Sequence, residues 1–315
     1  MIGAIGGYFD LELRKGEHFH KEAIRLNTAR NCFEYVLLAR KYKKVYIPYY
    51  TCEVMIQPLD KLNISYEFYC IDENLEPIEE IHLCTDEAFL YTNYFGLKQA
   101  CVERLALFYG THLIVDNAQA FYAPRLANID TFYSARKFFG VPDGAYLYTD
   151  CILDTEFEKD KSFERMRHLL QRIDEGAEAG YSSFRENDDA LDNVSIKQMS
   201  KLTSRILENI DYDYVKRKRI ENYNLLNEKL KRNNLFKFSL KDAVPMVYPF
   251  YTLDVDLKKR LIMNKIFVAT YWPNVLEWCK KGMIEYELVN KVIAIPLDQR
   301  YNYAEIDYII SKCTN

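Results

Sequence analysis

The sequence predicts an α/β protein: a mostly parallel central sheet flanked by helices, followed by a smaller C-terminal α+β lobe. Three observations carry this expectation. Short apolar runs of strand length alternate with helical patterns through the first part of the chain. After about residue 155 helical patterns dominate, and short strands return only near the C-terminus. At 315 residues the chain is also long for a single core, which favours one large domain plus a lobe.

The elements follow in order. Thr28 to Tyr42 places Cys32, Tyr35, Val36 and Ala39 at helical spacing. Val45-Tyr-Ile-Pro48 has the character of a buried strand, while Ile64 to Tyr69 alternates as a half-covered strand does. Ala88 to Thr92 is a further strand, residues 98–109 form a helix, and strands end at Asp116, Ser134 and near Thr149. Strands separated by helices imply parallel pairing with both faces of the sheet covered. Helices fill 156–232, with a start signal at Asn209-Ile-Asp-Tyr-Asp213. Strands are expected at 246–253, 267–270 and 292–295, with a last helix from Tyr303. The expected division is therefore a large domain over 1–234 and a small α+β domain over 235–315.

Bulk properties exclude several classes. The chain is 49% apolar and 28% charged, in the range of globular proteins. A net charge of −4 gives no general attraction to nucleic acid. The basic run Lys216-Arg-Lys-Arg219 falls in a helical pattern and is expected on a solvated face. Eight cysteines contain no Cys-x-x-Cys pair, and no apolar run reaches membrane-spanning length. No charged start with a long apolar stretch opens the chain, so a reducing cytoplasm is expected. His18-Phe-His20 is expected in a polar N-terminal loop rather than in a metal site. No Gly-x-Ser-x-Gly, Gly-x-Gly-x-x-Gly or phosphate-loop motif occurs.

One constellation remains. His112-Leu-Ile-Val-Asp116 is an apolar strand ending in a carboxylate, and Asp130-Thr-Phe-Tyr-Ser134 is a strand that runs into Lys137. Ligands of open α/β sheets sit beyond the carboxyl ends of the strands. A strand-end lysine with a strand-end aspartate is what pyridoxal phosphate needs. The amine condenses with the aldehyde, and the carboxylate pairs with the protonated ring nitrogen. Asn27-Thr28-Ala29-Arg30 opens the first long helix, so Thr28 and Ala29 are the candidate phosphate anchor. Ser134 could add a hydroxyl, Gln119 could bond the ring hydroxyl, and Tyr50 could stack on the ring. Arg136, Arg185 and Arg300 are candidates for a donor carboxylate.

Val115-Asp116-Asn-Ala-Gln119-Ala resembles the Asp-x-Ala-Gln-Ala signature of the DegT/StrS-like aminotransferases. Lys137 with Gly144 is similar to that family's cofactor-binding lysine and the glycines after it. Ile47-Pro48-Tyr-Tyr-Thr51, Tyr94-Phe-Gly96, Gly180 to Arg185 and Ile295-Pro296-Leu follow the family's order along nearly the whole chain. The chain departs from the pattern at Ser134, which lies three rather than five residues before the lysine, and at Arg30, where a small or apolar residue is usual.

The resemblance implies the fold type I of pyridoxal-phosphate transferases and a homodimer, with residues 176–190 reaching the partner's site. It also implies transfer of an amino group from glutamate to a keto-sugar nucleotide, as in surface-polysaccharide biosynthesis. The alternatives are another enzyme of this fold, a lyase or dehydratase, or a binding subunit without catalysis. Sugar dehydratases similar to this family carry His in place of the lysine, so Lys137 favours the aminotransferase.

Overall fold

The computed structural model describes residues 5–314. Its elements are β1 (Ile24–Leu26), α1 (Ala29–Arg40), β2 (Lys44–Pro48), α2 (Gln57–Lys61), β3 (Ser65–Tyr69) and β4 (Glu87–Thr92). Then come α3 (Gln99–Tyr109), β5 (Leu113–Asn117), β6 (Asp130–Ser134), β7 (Ala145–Tyr148), α4 (Arg167–Asp174), α5 (Tyr181–Asp189), α6 (Lys201–Glu208) and α7 (Tyr212–Leu230). β8 (Tyr248–Tyr251), α8 (Leu257–Met263), α9 (Val275–Trp278), α10 (Ile284–Lys291), β9 (Val292–Ile295) and α11 (Tyr303–Cys313) complete the chain.

The central sheet has seven strands in the order β1-β7-β6-β5-β4-β2-β3. Only β7 runs against the others, pairing antiparallel with both β1 and β6. Side chains alternate between the faces, as the two-residue period of a strand requires. Ile114, Phe132 and Leu147 pack with Phe33 and Val36 of α1. Leu113, Val115, Tyr133 and Tyr146 face the opposite, tyrosine-rich layer. This explains why β5 and β6 are buried along their whole length. A third apolar cluster joins α7, α8, α11 and the β8–β9 pair in the C-terminal part.

Several expectations change. β1 is a three-residue edge strand that carries no periodic signal of its own. No strand forms at 267–270: Ala269 alone bridges Ala294, and Phe267 is exposed. The 156–232 stretch is not continuously helical. Residues 190–193 form a turn and 194–200 form no helix; Gln198 bridges Leu26 of β1, and Met199 N donates to Arg25 O at 3.1 Å. α7 starts where expected, with the Asp211 side chain accepting from Tyr214 N. Lys216 and Arg217 are solvated, but Arg219 is only 2% exposed because it packs against Phe138, Gln299 and the 245–246 carbonyls.

His18 and His20 are buried, not in a polar loop. His18 Nδ1 meets the Tyr146 hydroxyl at 2.6 Å, and its Nε2 meets Ser204 Oγ at 2.9 Å and the Glu208 carboxylate at 3.5 Å. His20 Nε2 lies 2.9 Å from Phe121 O, with the ring packed on Tyr133 and Tyr148. Burial lowers both imidazoles to about 4; Arg25 adds to the effect at His18, while Glu208 opposes it there, as the bond to Phe121 O does at His20. The unfolded chain therefore takes up two protons between the ordinary value of 6.5 and 4 that the folded chain does not. Stability should fall as the pH drops through that window. The His18→Gln/His20→Gln double variant should show a flatter acid limb in urea unfolding followed from pH 7 to pH 4, and an unchanged slope would refute the assignment.

Candidate active site

The parallel strands bring their carboxyl ends to one edge, and β1 points the same way. Leu26 pairs with Ala145, which pairs with Ser134, so Asn27-Thr28 emerges beside the end of β6. The same edge receives Asp116 and the loops after β2 and β4. The topology thus gathers Thr28, Tyr50, Asp116, Gln119, Ser134 and Lys137 from four separate strand ends.

Asp116 is buried on β5, and its Oδ1 accepts from Ala118 N at 2.7 Å. Burial pushes its carboxyl up from the ordinary carboxylate value, while the Lys137 amine and the Ala118 N–H pull it down. Lys137 is exposed, and its amine has no hydrogen-bond or ion-pair partner among the described residues. The Lys137 amine is thus free and accessible, within electrostatic reach of Asp116.

Gln119 is 1% exposed. Its Oε1 accepts from Phe95 N at 2.8 Å, but its Nε2 is buried without a partner among the described residues. An orphaned buried amide of this kind costs on the order of 1–3 kcal/mol unless something accepts from it. Phe95 sits at a φ of 58°, uncommon for a bulky residue, and is held there by Gln119 and by Met246 N donating to Phe95 O at 2.9 Å. Gly96 follows because a Cβ there would lie 3.1 Å from Gln119 O.

Thr28 caps α1. Its Oγ1 accepts from Asn31 N at 3.1 Å and donates to Asn31 Oδ1 at 2.6 Å. The backbone N–H groups of Ala29 and Arg30 come before the first helical bond, which runs from Cys32 N to Thr28 O. Arg30 does not point at open space: its Nη1 donates to Gln57 Oε1, Leu191 O and Asp192. The arginine that departs from the family pattern thus fastens the 191–192 turn. Ser134 is buried next to Ala145. Tyr50 is fully buried against Trp272, at 5.1 Å between ring centres, and its hydroxyl has no partner.

The residue of that loop within electrostatic reach of Lys137 is Cys52, whose thiol burial raises and whose ionisation Lys137 and Arg30 favour. Tyr271 from the C-terminal part lies close to it. Neither stood out in the sequence: a single cysteine and one of 26 tyrosines carry no spacing signal. Of the donor-carboxylate candidates, Arg136 pairs with Asp188 at 2.9 Å and Arg300 is held by both Asp298 oxygens at 2.7 Å. Arg185 is more than half exposed, near Asp189.

Asp143 and Gly144 shape the turn after the lysine. The Asp143 carboxylate accepts from Ser200 N at 2.8 Å, from Ser200 Oγ at 2.7 Å and from the Thr203 hydroxyl. Gly144 has a φ of 114°, and a Cβ there would come within 2.9 Å of Thr203 Cγ2.

No protein-family model and no curated protein matches the chain. Solved structures do. DesV of S. venezuelae is 15% identical with a TM-score of 0.62, over 92% of this chain and 83% of that one. A DegT DnrJ EryC1 StrS aminotransferase from Brucella abortus is 16% identical with a TM-score of 0.61, over 92% and 84%. The sugar aminotransferase Spr1654 from Streptococcus pneumoniae, in its PMP form, is 12% identical with a TM-score of 0.63, over 92% and 86%. The chain has the fold of the pyridoxal-phosphate transferases.

Proposed function

We propose that this protein is a pyridoxal-phosphate-dependent aminotransferase that moves an amino group from glutamate to a keto-sugar nucleotide, in surface-polysaccharide or related biosynthesis. The observation that carries the reading is the free Lys137 amine within electrostatic reach of the buried Asp116, at the carboxyl edge of a sheet with this fold. The residues fit the cofactor. The orphaned Gln119 Nε2 has the donor that the ring hydroxyl would accept, and the start of α1 offers N–H groups to a phosphate. The substrate class leans on the solved relatives named as sugar aminotransferases and on the Asp-x-Ala-Gln-Ala resemblance.

Pyridoxal phosphate supplies an aldehyde and a protonated ring that draws electron density from a substrate carbon. Asp116 would hold the proton on the ring nitrogen, and its burial would strengthen that charge contact in a low-dielectric place. The Lys137 amine would hold the aldehyde end and, when released, its Nζ would carry the proton to and from the donor α-carbon. Thr28 and Ala29 would anchor the phosphate, with Ser134 at the end of β6 beside them.

The decisive experiment uses the protein loaded with pyridoxal phosphate. Borohydride reduction and peptide mass spectrometry should place the adduct on Lys137. Glutamate added alone, with no sugar present, should shift the absorbance of the loaded protein, because the amino group is parked on the cofactor before the acceptor arrives. An adduct elsewhere refutes the lysine assignment. An adduct on Lys137 with no shift from glutamate, glutamine or aspartate favours a lyase or a binding subunit.

Asp116→Asn should keep the fold and lose turnover by on the order of 10²-fold, since a neutral amide cannot hold the ring proton. Circular dichroism checks the fold and steady-state assay the rate; near-normal turnover removes Asp116 from the role.

The protein is further proposed to act as a cytoplasmic homodimer. α5 carries the half-exposed Arg185 after a glycine-punctuated turn, where a partner copy could receive it. Light scattering should give twice the chain mass, and an active monomer at assay concentration overturns this. No described helix is long and apolar enough to cross a membrane.

A further inference from the structure

Gln119 and Lys137 leave the sheet in different loops, yet a continuous chain of hydrogen bonds connects their surroundings. Gln119 Oε1 accepts from Phe95 N at 2.8 Å, and Phe95 O accepts from Met246 N at 2.9 Å. Met246 O accepts from Arg219 Nη1 at 2.8 Å, and the same nitrogen reaches Pro245 O at 3.2 Å. Arg219 Nε donates to Gln299 Oε1 at 3.1 Å, and Gln299 Nε2 donates to Phe138 O at 2.8 Å. Phe138 is the residue after Lys137, and the Arg219 guanidinium also lies over its ring at 4.4 Å.

Arg219 is an unusual link. It is 2% exposed, and each hydrogen bond it makes among the described residues goes to a neutral acceptor. Burial lowers it to about 10, with Asp298 opposing from a distance, so it remains charged at neutral pH. A buried cation costs several kcal/mol in desolvation, and an apolar side chain of similar size would serve stability as well or better. What an apolar residue lacks is the planar fork, which fixes donors in two directions at once. Here one arm holds the 245–246 segment and the other holds Gln299.

We propose that Arg219 and Gln299 are positioning residues, which set the distance between the Gln119 amide and Lys137 and thereby the capture of the cofactor between them. The proposal rests on the cofactor reading above. It goes beyond it in giving residues of the C-terminal part a share in a site built on the central sheet. The competing account is that Arg219 only fastens that part to the large domain.

Gln299→Glu separates the two. A glutamate still accepts from Arg219 Nε, and now as a charge partner, but it has no N–H for Phe138 O. Four measurements on the full-length protein decide the matter: thermal midpoint, pyridoxal phosphate Kd by absorbance titration, borohydride trapping at Lys137, and hydrogen exchange without cofactor. The exchange probes are the amides of Phe138 and Phe139, which donate to Ala135 O at 3.0 and 2.9 Å. Positioning predicts a midpoint near that of the wild type, a Kd weakened by about fivefold, slower trapping and faster exchange at 138–139. A Kd and an exchange rate equal to those of the wild type overturn it.

Should Gln299→Glu fail to fold, Gln299→Met is combined with Gln119→Met in a double-mutant cycle on cofactor affinity. Losses that add independently overturn the relay, and losses that fall short of the sum support it. If the wild type itself takes up no pyridoxal phosphate, the cofactor reading has failed. The relay is then judged on hydrogen exchange alone, where unchanged protection at 138–139 in either Gln299 variant overturns it.

Discussion

The hydrogen bond from Gly144 N to Asn27 O, at 2.6 Å, joins the two loops on which the site depends. One loop follows Lys137 and the other carries Thr28, the proposed phosphate anchor. Around this joint the chain is fixed from both sides. Asp143 binds the start of α6, and the Asn27 side chain exchanges bonds with Ser195 O and Lys197 N. The joint forms only because Gly144 can take a backbone conformation that side chains resist, and because β7 returns antiparallel between β1 and β6. Without that reversed strand, β1 would have no partner and Thr28 no place beside Lys137.

How much of this was legible in the sequence depends on what fixed each element. β5 and β6 are buried on both faces, so their apolar runs stand out, and their last residues could be read as lying at the edge of a sheet. Asp116, Gln119 and Lys137 were legible for that reason. β1 was not, because three residues contain no period. Its existence depends on pairing with β7, a contact distant in the chain. The 267–270 run has the composition of a strand, but only Ala269 finds a partner.

Burial of polar groups was the hardest to foresee. His18, His20 and Arg219 have the residue types of solvated loops and helix faces, and local pattern assigns them there. Each is buried by a partner remote in sequence: Tyr146 for His18, Phe121 for His20, Gln299 and the 245–246 carbonyls for Arg219. The same holds for Tyr271, which approaches Cys52 only when the C-terminal part packs against the loop after β2. Asn274 Nδ2 donating to Thr51 O at 3.0 Å marks that contact. Tertiary partners, not propensity, decide such residues.

The late position of β7 in the chain has a consequence for how the molecule is made. Ile24 pairs with Leu147, so the edge strand nearest the N-terminus must wait for a strand synthesised long after it. Closing so large a loop is entropically costly and slows the search for native contacts. The helix that opens at Thr28 can form early, but its N-terminus is set beside the lysine loop only once β7 has paired with β1 and β6. A ligand that bridges these two regions binds the completed fold alone, and mass action then draws the population toward it. For this chain, cofactor supply during synthesis would act as a folding aid as well as a condition for chemistry.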